Sequence, residues 1–139
     1  MTKKEITQFV ELAEGITICG YSDQEQAVKE EFHRQGKRLL RVIAKRMSLP
    51  RGSYEVRSNM GGVAVCGEVT LHGEHIYIQL SQSCLGKDFG FMYRYVRDRR
   101  DYTGGTNRWM AWTKLMDLDE NIHHFQEAMI GGAQLSPVS

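Results

Sequence analysis

Apolar and polar residues alternate through the centre of the chain, and apolar residues recur every three to four positions at both ends. Together these patterns predict an α+β fold. The expected architecture is an antiparallel meander sheet of three or four strands. The long helix of the N-terminal half and the C-terminal helix pack on one of its faces. A third observation makes this one domain: 139 residues contain two prolines and no low-complexity linker or internal repeat, a length suited to a single core.

The elements follow in order. Residues 3–14 place Ile6, Phe9, Val10 and Ala13 at helical spacing, with Gly15 as a stop. "ITICGY" at 16–21 is β-branched and reads as a short strand. "SDQE" at 22–25 is a capping box in which the Ser22 hydroxyl accepts from the Glu25 N–H and Glu25 reaches back. The helix it opens runs to about Ser48, before Pro50, with Val28, Phe32, Leu39, Ile43 and Met47 as its apolar stripe. Gln35 and Gly36 interrupt that stripe, where another chain segment can approach closely or the helix can bend. Glutamates early and arginines and lysines late suit its dipole.

The centre reads as strands. "YEVRSN" at 54–59 alternates, as do "GGVAVCGEVTLHG", with Val63, Val65, Val69 and Leu71 on one face, and "HIYIQLSQ", with Ile76, Ile78 and Leu80 on one face. "HGEH" is the hairpin turn between the last two. "FGFMYRYVR" at 89–97 supplies the next strand. One sheet face is expected to carry Tyr77, Tyr93, Tyr95, Arg57 and His72, solvated, dimerised or used for binding. "RWMAWTKLM" fits a strand or a packed loop. "DLDENIHHFQEAMI" reads as a helix capped by Asp117 or Asp119, with Leu118, Ile122, Phe125 and Met129 inward and Gly131-Gly132 ending it. A frayed tail over about 133–139 follows.

The composition narrows the classes of function. Eighteen basic against seventeen acidic residues leave a formal charge of +1, so any anion site is local. Cys19, Cys66 and Cys84 are distant and odd in number, which excludes a zinc ribbon or redox pair and fits reduced cysteines. No signal-peptide pattern or membrane-length apolar run is present, and a soluble cytoplasmic protein is expected.

The most unusual stretch is "RDRRDYTGGTNRW", from Arg97 to Trp109. Glycines there expose backbone N–H groups, arginines offer planar forks to phosphate or carboxylate, and Tyr102 and Trp109 can stack on a base. Candidate contacts are Arg97, Arg99, Arg100, Tyr102, Asn107, Arg108 and Trp109, with Arg57 and Asn59 nearby. A turn with solvated charges uses the same residues. "SNMGG" at 58–62 is a second glycine pair, a bulge or an anion nest, expected on the same sheet edge. Arg34, Lys37, Arg38, Arg41 and Lys45 share one face of the long helix, a grip for a phosphate backbone or a solvated surface.

His33, His72, His75, His123 and His124 show no metal spacing, and the adjacent pair should diverge by about 100° on a helix, so no metal is expected. No nucleophile motif occurs among the cysteines and serines, so no catalytic residues are assigned.

"SNMGGVAVCGEVTLH", "IYIQLSQSCLG" and "YRYVRDRRDYTGGTNRWM" together resemble a family of small uncharacterised accessory proteins encoded by phages and prophages, over about residues 53–112. The resemblance brings no assigned activity, so it implies no catalytic residue and no cofactor. It implies a small protein that acts by binding in the host cytoplasm. Such a protein blocks a host defence complex, masks its nucleic-acid site or sequesters its nucleotide signal, as anti-CRISPR proteins do. Two alternatives stand beside it: direct DNA or RNA binding by the basic helix, and a small nucleotide-binding or nucleotide-processing enzyme using His72 or His75 with a carboxylate. A homodimer, through the tyrosine-rich face or through the long helix with its interrupted stripe, is compatible with each.

Overall fold

A computed structural model describes residues 1–15, 22–62, 66–81, 90–102 and 105–135, with side chains described up to residue 130. The strand expected at 16–21, residues 63–65 and 89, and Cys19 and Cys84 lie outside the described residues.

Helices α1 (Lys3–Gly15) and α2 (Asp23–Arg46) come first. Thr2 and Glu5 form a reciprocal capping box on α1: the Glu5 N–H donates to the Thr2 hydroxyl at 3.1 Å and the Thr2 N–H to the Glu5 carboxylate at 2.9 Å. Ile6, Phe9, Val10 and Ala13 are buried, as their spacing predicts. On α2 the Glu25 N–H donates to the Ser22 hydroxyl at 3.1 Å, and that hydroxyl donates to the Glu25 carboxylate at 2.8 Å.

The buried line of α2 differs from expectation. Phe32, Leu39, Ile43 and Met47 are inside, but Val28 is 36% exposed and Lys29 and His33 take its place. Lys29 lies two helical turns before Gly36, on the line that meets the sheet, and Val28 falls about 80° away from it. Gly36 faces the sheet closely. A Cβ there would sit 3.2 Å from Val69 Cγ2 and 3.6 Å from Leu80 Cδ1, so the missing side chain lets α2 settle on the sheet.

The sheet has five strands in sequential order: β1 (Tyr54–Asn59), β2 (Glu68–Gly73), β3 (Ile76–Ser81), β4 (Phe91–Tyr95) and β5 (Arg108–Met110). All neighbours are antiparallel. The fifth strand comes from the ambiguous segment before Trp112. β2 begins at Glu68, later than its alternation suggested. The register Val69↔Leu80, Leu71↔Ile78, Ile78↔Tyr93 and Phe91↔Met110 puts these residues on one inner face. Tyr93 therefore faces the helices, contrary to expectation, with its ring 5.0 Å from Phe125 and edge-on to it. Tyr95 shares that face by alternation and stacks on His75 at 6.1 Å.

A 3-10 helix (Trp112–Asp117) leads directly into α3 (Leu118–Leu135). The Asn121 side chain joins them, donating to the carbonyls of Lys114 at 3.1 Å and Asp117 at 3.0 Å. The backbone of α3 continues past Gly131-Gly132 to Leu135, so the glycines do not end the helix. Residues 136–139 lie outside the described residues. No helix among the described residues is long and apolar enough to cross a membrane.

The α2–sheet contact generates a test. Gly36→Leu must push Val69 and Leu80 aside, and we expect a loss of about 1–3 kcal/mol, typical of overpacking. Urea denaturation measures it; an unchanged midpoint would contradict the close approach.

Candidate binding face

α2 and α3 cover the inner face, with α1 packed on α2 and on the 3-10 helix, and the outer face is left to polar side chains. Register pairs set two rows there. Arg57↔Thr70, Thr70↔Gln79, Gln79↔Met92 and Met92↔Trp109 run across all five strands, and Glu55↔His72, His72↔Tyr77 and Tyr77↔Arg94 run beside them. Within the second row the Arg94 guanidinium lies over the Tyr77 ring, 4.9 Å from its centroid. The His72 ring is edge-on to Tyr77 at 5.2 Å, and its Nε2 lies 2.9 Å from the Thr70 hydroxyl.

The segment after β4 folds into a turn whose charges satisfy its own backbone. The Asp98 carboxylate accepts from the Arg100 N–H at 2.8 Å, and the Asp98 carbonyl accepts from the Asp101 N–H at 3.2 Å. Buried Asp101 accepts from the Arg97 N–H at 3.1 Å and lies 3.5 Å from the Arg97 guanidinium. Arg94 donates to the Asp101 carbonyl at 3.0 Å, and Arg99 donates to the Gly52 carbonyl just before β1. Gly105 has φ +82°, and a Cβ there would collide with the Tyr95 carbonyl oxygen. This glycine therefore serves chain packing and close turn geometry.

The turn delivers Tyr102 to the outer face. Its ring is 6.4 Å from His72 and edge-on, and it remains 62% exposed. Arg57 is held charged by the Glu55 carboxylate, 2.9 Å away, and next by the Tyr102 hydroxyl. Trp109, 41% exposed, sits at the far end of the Arg57 row. Arg57, Tyr102 and Trp109 are thus on one face.

The other candidates divide. Arg97 and Arg100 are exposed on the turn, and Arg99 is engaged at its foot. Asn107 is exposed just before β5. Arg108 alternates with Trp109 and belongs to the opposite face. Asn59 lies on the outer face beside Glu68, but its side chain accepts from the Gly61 N–H at 3.0 Å, an Asx turn. The two glycine pairs do not share an edge. Asn59 pairs with Glu68 at one end of the strands, whereas Tyr95, which Gly105 approaches, pairs with Ile76 at the other.

The basic residues of α2 do share an exposed face. Arg34 is paired with Glu31, and Arg38 lies 3.0 Å from Glu5 of α1, so Lys37, Arg41 and Lys45 carry most of its field.

A polar cluster under the β1–β2 connection had no sequence signal beyond polar residues on an apolar line. The buried Lys29 amine donates to the Gly62 carbonyl at 2.9 Å. His33 is bound on both sides at 2.7 Å, Nε2 to the Cys66 carbonyl and Nδ1 to the Ser58 hydroxyl. The carbonyl can only accept, so Nε2 carries the proton and Nδ1 accepts from Ser58.

Burial lowers the pKa of both His33 and His72 from 6.5, and burial pushes the Tyr77 phenol up to about 12. No protein-family model, curated protein or solved structure matches the chain.

The two lowered histidines set a pH dependence. Below the ordinary value of 6.5 the unfolded chain takes up protons that the folded one refuses. Stability should fall as pH drops from 6.5 through the folded values, by at most about 1.4 kcal/mol per pH unit for each histidine. Urea midpoints between neutral pH and pH of about 5 should show this, and His72→Gln should flatten part of the slope. A midpoint that rises on acidification would have the wrong sign.

Proposed function

We propose that the protein is a non-enzymatic binding protein of the phage anti-defence kind, which engages an anionic surface of a host protein complex through the outer face of its sheet. One observation supports this above the others. Of the four exposed large hydrophobic side chains among the described residues, Tyr102 and Trp109 both belong to the polar side of the sheet, with Arg57 in the row that Trp109 ends. Tyr102 neighbours Arg57 and Trp109 stands at the opposite edge of the same face; exposed aromatics and arginine are the residue types that anchor interfaces. Arg57, Tyr102 and Trp109 form the contact, Arg97 and Arg100 its basic rim, and Asn107 its edge. The phage affiliation and the defence partner rest on the resemblance of residues 53–112 to phage and prophage proteins.

Capture of partners by tagged protein from host lysate, with and without nuclease, tests the reading. We expect a stoichiometric protein that survives nuclease and is lost, by about 2 kcal/mol or more, from the Tyr102→Ala/Trp109→Ala variant. Full retention by that variant would reject this face. Recovery of the chain alone as a dimer would assign the face to self-association.

A second reading is supported by Lys37, Arg41 and Lys45 on the exposed side of α2. Direct nucleic-acid binding there should weaken steeply with salt through counterion release, and Arg41→Ala should lower the salt slope by about 1. Salt-insensitive binding in a titration series would remove it.

A further inference from the structure

We infer that α3 carries a site for one divalent ion of the zinc class, built from His123, His124 and Glu127. It is independent of the outer sheet face. One ligand atom from each of the three side chains lies within 4.8 Å of the other two. A tetrahedral site with bonds of about 2.0–2.1 Å needs donor atoms roughly 3.4 Å apart, a difference that side-chain rotation supplies. Glu127 stands one helical turn after His123 and three residues after His124, so it shares a face with both.

The histidines do not behave as neighbours on a helix ordinarily do. Successive Cβ atoms diverge by about 100°. These rings nevertheless lean together, with centroids 4.1 Å apart and planes tilted by 38°. The argument that adjacent histidines cannot address one ion therefore fails for this pair. Among the described residues none of the three side chains has a hydrogen bond or an ion pair, so their donor atoms carry no competing role. His123 and Glu127 are exposed and His124 is half-buried, which leaves the site open to solvent.

The donor set selects the ion. Two imidazoles and a carboxylate suit zinc, nickel, cobalt or copper, whereas magnesium and calcium prefer oxygen donors alone. Three protein ligands leave a fourth position, which faces solvent and takes water or a donor from a bound molecule.

Chelator-treated protein is titrated with zinc chloride by calorimetry and with cobalt chloride by absorption. We expect one saturable site of micromolar affinity and a cobalt spectrum without a thiolate charge-transfer band. His123→Asn, His124→Asn and Glu127→Gln should each weaken binding about tenfold or more, with unchanged circular dichroism. No saturable binding, unaltered affinity in the His123→Asn/His124→Asn variant, or a thiolate band that puts the ion on cysteine would each overturn the proposal.

Discussion

Trp112 touches three other rings: Phe9 of α1 at 5.9 Å, Phe32 of α2 at 6.4 Å and Phe91 of β4 at 5.2 Å. Phe91 continues to Phe125 of α3 at 6.2 Å, and Phe125 to Tyr93 at 5.0 Å. All three helices and the sheet are therefore joined through one chain of aromatic contacts. Such rings bury large areas and hold preferred offset or edge-on geometries, so they fix orientation as well as distance. Because Trp112 and Phe125 meet the same sheet face as Phe32, the helices have to share that face. The outer face is left to Arg57, His72, Tyr77 and Arg94.

The helices were legible because their signals are local. Ser22 and Glu25 mark the start of α2, and Ile6, Phe9, Val10 and Ala13 define the buried side of α1. The alternation of Ile76, Ile78 and Leu80 found β3 for the same reason. β5 stayed ambiguous because three residues are too few to show a period. Tyr93 was put on the wrong face because alternation separates two faces without saying which one is covered; its register with Ile78 decides that. The burial of Lys29 and His33 was not foreseen because a buried amine or imidazole needs partners, and theirs are the distant Ser58, Gly62 and Cys66. The arginine–glycine segment was readable as unusual and no further. Its partners, Gly52 and the Tyr95 carbonyl, come together only in the folded chain.

The polar cluster beneath the β1–β2 connection complements the aromatic one. Lys29 and His33 fasten Ser58, Gly62 and Cys66 to the first half of α2. Hydrogen bonds of this kind contribute modestly to net stability, but they are costly to leave unmade once buried.

The Arg99–Gly52 contact ties the turn after β4 to the entry of β1. Arg94 grips the same turn from below through the Asp101 carbonyl. Tyr102 is thus carried on a loop fastened at two points, to different strands. Ordering a side chain on association costs about 0.5–1.5 kcal/mol. The two anchors hold the backbone that presents Tyr102, while its side chain stays 62% exposed. In the proposed binding role, a partner of this face would meet a loop backbone already held in place, which leaves less ordering to be done on association.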